Sequence, residues 1–335
     1  MMLDWLRLTR ASGLFTVASN YLAAVAAAIY TKSLDYSLLG RELRENLPNA
    51  VWIVVASCLL FLSGMLWNDV ADADRDRVLH PGRPLASGRI HLGTAWIAGL
   101  FLSSGALLAA AQSGYRGLCA AGVVLCLSLI YNFATKSVPY LGSLTMALVR
   151  ASHAIFALLI LGTAYFDRSV LSLLDLVMPI HPGALGGHSV YPLLLGSYIL
   201  GLTVISELES RRGMRWELLF GGILVAVSLV FALRMGLTAH WVNLLHRQRH
   251  TVLLILALVL VLALAALLAW RVGRPYLDAL RTAKRRHVGK VVGAGLGGMI
   301  LFDALIATAF HPLIGLAALM LFIPNRLAVR LVRMD

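Results

Sequence analysis

Apolar runs long enough, or nearly long enough, to cross a bilayer recur along the whole chain. The 335 residues have a mean hydropathy of +0.81, and 59% of them are hydrophobic. A soluble domain of this size could not bury so much apolar surface in one core. The sequence therefore predicts an all-α fold, a polytopic transmembrane bundle of nine to ten helices, with apolar runs at 14–30, 50–67, 92–111, 118–134, 141–165, 191–205, 218–233, 252–270, 291–310 and 313–332.

The basic residues are distributed unevenly between the segments that join these runs. Twenty of the 29 Lys and Arg residues fall in the N-terminal segment and the alternate segments after it, and eight fall in the others. Because cytoplasmic segments carry the excess of Lys and Arg, we expect a cytoplasmic N-terminus in the cell inner membrane. The net charge of +13 then reflects segments that face anionic membrane lipid, and no nucleic acid is needed to explain it.

The most polar stretch lies between the second and third runs and reads NDVADADRDRVLHPGRPLASG. Asn68, Asp72 and Asp76 are four residues apart and share a helix face, with Asp69 beside them. Such oxygen ligands suit Mg²⁺, which proteins hold with one or two carboxylates and substrate phosphates. Arg83 could contact a phosphate bidentately. The alternative is a solvated loop whose acids and arginines pair with each other.

A family resemblance rests on the same stretch. The pattern N-D-x-x-D-x-x-x-D at Asn68, Asp69, Asp72 and Asp76, followed by R-P-L-x-S-G at 83–88, resembles the first signature of the UbiA superfamily of intramembrane prenyltransferases. The resemblance implies a UbiA-like membrane fold, a single domain over 1–335, Mg²⁺ and an isoprenoid diphosphate donor. It also implies that these four residues bind the metal, with Asp72 and Asp76 catalytic, and that the prenyl group passes to an acceptor.

A lysine follows the fourth run. Tyr131 and Lys136 stand where the UbiA family has a tyrosine and, five positions later, a lysine, although Ser137 replaces the usual basic neighbour. A lysine at a helix end beside an acidic pocket could hold a diphosphate as a point charge. We therefore assign Lys136 a catalytic and substrate-binding role. The alternative is that it only marks an inner loop.

Ionisable residues deep inside predicted spans are costly and often functional, and three of them stand out. Arg150 and His153 are three apart in the fifth run, and Asp303 is in the ninth. We expect Arg150 to line the substrate pocket and His153 to make a structural hydrogen bond. Asp303 is either a pocket residue or a buried acid that is hydrogen-bonded within the bundle.

A second polar stretch, SELESRRG, follows the sixth run, where the UbiA family carries a second aspartate motif. The match is poor, since Ser206 replaces the first acid and Gly213 falls at the last. Glu209 can stand for the middle acid, and we expect it to complete the metal site. Arg211 and Arg212 would bind phosphate. The S-x-x-E pattern resembles the EboC-like branch of the superfamily.

These patterns together predict an Mg²⁺-dependent enzyme that moves a prenyl group from an isoprenoid diphosphate to a lipophilic or aromatic acceptor. The degenerate second motif leaves open an alternative, a protein of the same fold that binds or transports an isoprenoid lipid without catalysis. The three cysteines lie in apolar runs without metal-binding or redox spacing, which favours packing roles. A transporter of another fold would explain the hydropathy but not the acidic signature.

Overall fold

The computed structural model describes residues 2–31, 44–159, 187–210, 215–246, 251–282 and 284–332, and within these ranges the chain is helical without β-strands. A 3₁₀ turn at Ala11–Gly13 joins the first two helices, and a π-helical turn at Tyr131–Thr135 continues the sixth. The α-helices of the described ranges are α1 Met2–Leu8, α2 Leu14–Thr31, α3 Leu47–Ala71, α4 Ala73–Leu79, α5 Leu92–Ala111, α6 Gly114–Ile130, α7 Leu141–Leu158, α8 Gly187–Ser210, α9 Arg215–His246, α10 Thr251–Thr282, α11 Arg285–Leu296, α12 Met299–Phe310, α13 Pro312–Met320 and α14 Phe322–Val332.

Ten helical segments in the described ranges are long and apolar enough to cross a membrane. The chain is therefore an integral multi-pass membrane protein, and the predicted all-α bundle is confirmed with ten spans. α11 and α12 form the ninth span, and α13 and α14 form the tenth. The last two apolar runs are thus two spans, which meet at His311.

The ninth span is interrupted where two glycines meet. Gly297 ends α11 and Gly298 precedes α12. The Arg271 side chain of α10 donates from Nε to the Ala294 carbonyl oxygen, 3.3 Å away, in the last turn of α11. A guanidinium at a helix C-terminus satisfies carbonyl groups that the helix leaves open and complements its dipole. The break is therefore stabilised from the neighbouring helix.

Neighbouring spans pack side by side, and the first span closes the bundle. α3 packs on α5, α6 on α7, α7 on α8, and α8 on α9. α2 contacts α3, α7 and α8 on one side and α12 and α13 on the other. Small residues of α2 make this central position possible, since Ala23, Ala24, Ala26 and Ala27 are all fully buried.

A buried acid joins three of these spans. The Asp303 carboxylate of α12 is fully buried and accepts hydrogen bonds from Ser19 Oγ (2.5 Å), Asn20 Nδ2 (2.7 Å) and the Tyr191 hydroxyl (3.1 Å). Ser19 and Asn20 lie on α2, and Tyr191 lies on α8. Asp303 is therefore a buried acid satisfied within the bundle, the second of the two roles that its sequence position allowed.

Candidate active site

One face of α3 makes a ladder of contacts with α7 and with the π-helical turn that follows α6. Ser57, Phe61, Gly64 and Asn68 lie three or four residues apart and so share that face. On α7, His153 Nε2 lies 2.7 Å from Ser57 Oγ, and the Arg150 guanidinium carbon lies 5.9 Å from the centre of the Phe61 ring. In the π-helical turn, Asn132 Nδ2 donates to the Gly64 carbonyl oxygen at 3.3 Å. Just after this turn, Lys136 Nζ donates to Asn68 Oδ1 at 2.8 Å. The face therefore runs from buried neutral groups to the acidic end of α3.

Lys136 occupies the acidic end of this ladder. Its ammonium donates to Asn68 Oδ1 and also forms a short ion pair with the Asp72 carboxylate. Both charged side chains are largely buried, at 21% exposure for Lys136 and 16% for Asp72. The π-helical turn before Lys136 adds a residue to the local helical repeat, a distortion that is frequent at functional sites. The structure thus brings Lys136 to the first signature.

Asp69 faces the N-terminal segment. Its side chain is only 2% exposed, and Oδ1 accepts from Arg10 Nη2 and Asn68 Nδ2, each at 3.3 Å. Arg10 has a left-handed backbone (φ 46°), which is uncommon for a non-glycine residue. The other oxygen, Asp69 Oδ2, is buried and has no hydrogen-bond partner among the described residues.

Asp76 belongs to α4, because the helix is interrupted at Asp72. Its buried carboxylate pairs with Arg83 Nη1 at 2.5 Å, so the R-P-L-x-S-G turn folds back onto the acidic stretch. Asp74 points away from this cluster, and its exposed carboxylate pairs with Arg77 at 2.8 Å.

The three inward carboxylates each have a basic partner. Arg10 pairs with Asp69, Lys136 with Asp72, and Arg83 with Asp76. In the described part of the chain, no three Asp, Glu, His or Cys side chains are gathered closely enough to enclose a metal ion.

The donor set nevertheless fits Mg²⁺ of the kind whose coordination a phosphate substrate completes. Such a site needs only one or two carboxylates. The observation in favour is Asp69 Oδ2, a buried anionic oxygen that lacks a described donor. A buried carboxylate oxygen without a partner is costly, and a cation would relieve that cost.

A cavity of about 130 Å³ opens along the same face of α3. Arg10 and Asn68 line one end, and Arg150 and His153 line the other. Most of the remaining wall is apolar, with Leu60, Phe61, Met65, Val124, Met146 and Val149 contributing. Arg150 thus lines the cavity, and its role in binding a substrate stays a prediction, while His153 makes a structural hydrogen bond to Ser57.

The second polar stretch, at the end of α8, makes no described contact with the acids of the first. Glu209 is exposed at the end of α8 and faces Gly289 of α11, and no described contact joins it to the first signature. Its assignment as a metal ligand stays a prediction. Glu207 instead accepts hydrogen bonds from Tyr140 N (2.8 Å) and Ser143 Oγ (2.6 Å). Arg211 and Arg212 lie outside the described residues.

Sequence reasoning missed two residues of this region. Arg10 was indistinguishable from a charge that only sets orientation, because 59 positions separate it from Asp69. Glu207 was passed over because alignment on spacing selected Glu209. The feature that could have pointed to Glu207 is that it is an acid just after the end of the sixth apolar run.

Comparisons with known proteins agree with this architecture. The chain matches a structure solved in work on digeranylgeranylglyceryl phosphate synthase in membranes, with a TM-score of 0.55 and 15% identity, over 92% of this chain and 98% of that chain. An apo UbiA homolog from Aeropyrum pernix K1 gives a TM-score of 0.52 at 17% identity, over 87% and 96%. A UbiA homolog from Archaeoglobus fulgidus bound to GPP and Mg²⁺ gives 0.49 at 14% identity, over 90% and 99%. At these identities the likeness concerns the fold alone.

The sequence itself identifies the family. A comparison with curated proteins found no match. The model of the UbiA prenyltransferase family matches residues 36–273, which include the acidic signature and Lys136 and extend into α10. The chain belongs to the UbiA prenyltransferase family.

Proposed function

We propose that the protein transfers the prenyl group of an isoprenoid diphosphate to a lipophilic or aromatic acceptor within the membrane, with Mg²⁺ as cofactor. The observation that carries the proposal is the acidic stretch beside one end of the cavity. There Asp69 pairs with Arg10 and Asp72 pairs with Lys136, while Arg10 and Asn68 line the cavity itself and most of its wall is apolar. Such a cavity suits a ligand with a polyanionic head and a hydrocarbon tail.

The ion pairs of the site would change partners when the donor binds. Arg83 and Lys136 would leave their carboxylates and bind phosphoryl oxygens, with Arg10 close by. Asn68, Asp69, Asp72 and Asp76 would then hold Mg²⁺, and Asp69 has an oxygen without a described partner for it. Bound there, Mg²⁺ would neutralise charge on the leaving diphosphate.

The basic side chains assist the breaking of the bond that joins the prenyl group to the diphosphate. As the bond between the allylic carbon and the diphosphate oxygen opens, negative charge grows on the diphosphate. Lys136 and Arg83 stabilise that charge by hydrogen bonds that strengthen as it develops. The aromatic rings of Phe61 and Tyr131 line the cavity and can shelter the allylic cation by their faces. Arg150 lines the opposite end of the cavity. The acceptor forms a bond to the allylic carbon as the bond to the diphosphate oxygen breaks, and its proton passes to the released diphosphate or to water.

The proposal also covers the orientation of the chain in the membrane and the bounds of its domain. The N-terminus and the acidic end of the cavity would face the cytoplasm in the cell inner membrane, in line with the excess of basic residues on that side. The whole chain, 1–335, would act as one domain. Arg211 and Arg212 would complete the phosphate contacts from the second half.

The test is diphosphate release by purified protein with geranylgeranyl diphosphate, Mg²⁺ and a membrane extract as the source of acceptor. Asp72→Ala should abolish release, because it removes a carboxylate at the centre of the site. Asp74→Ala is the matched control, since Asp74 is exposed and faces away. Unchanged turnover in the Asp72 variant would refute the metal assignment.

A second candidate is a protein of this fold that binds or transports an isoprenoid lipid without transfer. It is favoured by the degenerate second motif, in which Ser206 and Gly213 stand where acids are expected and Glu209 makes no described contact with the first signature. A radiolabelled prenyl donor separates the two functions. A labelled lipid product requires catalysis, whereas saturable binding without product supports the second candidate.

A further inference from the structure

The acids of the second half contact the loop that carries Lys136. This segment, residues 136–140, is called the Lys136 loop, and it joins the π-helical turn to α7. Glu207 Oε1 accepts from the backbone N–H of Tyr140 at 2.8 Å. The buried carboxylate of Glu217, on α9, accepts a short hydrogen bond from the Tyr140 hydroxyl. Two acids from two different spans therefore bind one residue of the loop.

Tyr140 holds a backbone conformation that needs such support. Its φ of 62° is in the left-handed region, and of the described non-glycine residues only Tyr140 and Arg10 have a positive φ. Non-glycine residues persist there only when their surroundings fix them, and such residues cluster at functional sites. Besides the two glutamates, Trp216 stacks on the Tyr140 ring with 6.2 Å between ring centres. The second half of the chain therefore determines the shape of the loop.

Gly142 links the conformation of Tyr140 to the position of Lys136, because it packs against the Lys136 backbone. A β-carbon at position 142 would lie 2.9 Å from the Thr135 carbonyl oxygen and 3.1 Å from that of Lys136, so only glycine allows the two backbones to approach so closely. The Ser143 hydroxyl, on the far side of Gly142, donates to Glu207 Oε1 at 2.6 Å. Glu207 thus binds Tyr140 and Ser143, which flank Gly142 in the chain, and Gly142 packs against the Lys136 backbone.

These contacts occupy one of the two carboxylate oxygens of Glu207, so at most its Oε2 could bind a metal ion. A carboxylate oxygen has two lone pairs, and Oε1 of Glu207 already accepts from two donors. Glu207 and Glu217 also make further interactions beyond these. Within the described ranges, no third acid joins either of them in a metal-sized group.

We propose that Glu207 and Glu217 are positioning residues that fix the Lys136 loop, and that the site binds a single divalent cation, held by the first signature. The inference rests on the proposed function, because it concerns the same metal and the same diphosphate. It assigns the poorly matched second motif a definite task. The second half of the bundle places the lysine that receives the diphosphate, and the first half binds the metal.

The experiment measures two quantities on the full chain in detergent. Electron paramagnetic resonance counts Mn²⁺ bound per chain in the presence of geranyl S-thiolodiphosphate, and calorimetry gives the affinity for that donor analogue. Glu207→Gln keeps an oxygen that accepts both hydrogen bonds, so the affinity should stay within about threefold of the wild type. Glu207→Ala loses both bonds and should bind the analogue on the order of tenfold more weakly. Both variants should bind one Mn²⁺ per chain.

Two further variants sharpen the measurement. Tyr140→Phe loses the bond to Glu217 but keeps its backbone bond to Glu207, so it should weaken analogue binding without changing the Mn²⁺ count. Asp278→Asn neutralises an exposed acid of α10 and is the matched control, expected to equal the wild type. Equal elution profiles in gel filtration confirm that the variants are folded.

The outcomes separate this inference from the proposed function. Two Mn²⁺ per chain in the wild type, falling to one in Glu207→Gln, would make Glu207 a metal ligand and overturn the inference while the proposed function stands. Equal loss of analogue binding in Glu207→Gln and Glu207→Ala would also overturn it, because the charge and not the hydrogen bonds would then matter. A wild type that binds neither Mn²⁺ nor the analogue would overturn the proposed function, and the inference with it.

Discussion

Replacing Lys136 by glutamine should strengthen metal binding when no diphosphate is present. In the ligand-free site the Lys136 ammonium pairs with Asp72 and donates to Asn68. A divalent cation that binds Asp72 must first displace this ammonium. The variant removes the competitor and leaves the oxygen ligands in place. With a diphosphate present the same lysine is needed, so the effect should reverse.

The structure sets the size of both effects. Lys136 and Asp72 are 21% and 16% exposed, so their pair lies between a surface ion pair and a fully buried one. Giving it up costs about 1 to 2 kcal/mol, which predicts roughly 5- to 30-fold tighter Mn²⁺ binding by the variant. The lost charge-assisted contact to phosphate is worth about 1.5 to 3 kcal/mol, or roughly 10- to 150-fold weaker binding of the diphosphate.

The assay is Mn²⁺ titration of wild type and Lys136→Gln followed by electron paramagnetic resonance, with and without geranyl S-thiolodiphosphate. Arg77→Gln is the matched control, because Arg77 lies in the same stretch but its exposed pair with Asp74 faces away from the cavity. Its Mn²⁺ affinity should match that of the wild type. Weaker or unchanged binding of Mn²⁺ alone by Lys136→Gln would refute the exchange of partners.

Three further predictions test other contacts. Asp69→Asn removes the charge behind the buried, unpartnered oxygen and should weaken Mn²⁺ binding roughly tenfold or more in the same titration. Gly142→Ala should lower donor affinity roughly tenfold by displacing the Lys136 backbone, whereas Gly122→Ala, which has open space, should not. Asp303→Ala removes the acceptor of three buried donors, of which Ser19 and Tyr191 also reach a backbone carbonyl oxygen, and should cost about 1 to 3 kcal/mol of stability, seen as a lower midpoint of thermal unfolding in detergent; an unchanged midpoint would contradict this.

The spans and the first signature could be read from the sequence because both are local. A run of about 20 apolar residues forms a span whatever its neighbours are, since its backbone must be satisfied internally. Likewise the spacing of Asn68 and Asp72 places them on one helix face before any tertiary contact is known. What spacing did not show is that the helix is interrupted at Asp72, so that Asp76 comes from α4 and pairs with Arg83.

Contacts between distant segments could not be read in the same way. Arg10 reaches Asp69 through a left-handed turn between α1 and α2, and no pattern in either segment encodes that approach. Lys136 was found through a family pattern, but its pairing with Asp72 depends on how α6 and α3 are placed against each other. In a bundle whose helices are apolar on most sides, hydrophobic periodicity does not fix that placement.

The second acidic stretch shows where alignment on spacing fails for a physical reason. Spacing places Glu209 at the expected acid position, but what an acid does depends on how α8 is rotated against α7. Buried apolar residues surround α8, so its sequence pattern leaves this rotation open. In the structure the rotation turns Glu207 toward Tyr140 and Ser143 and leaves Glu209 exposed. The second motif therefore lacks acids for a metal site, but its Glu207 still holds the Lys136 loop in place. The loss of acids in this motif need not mean the loss of activity.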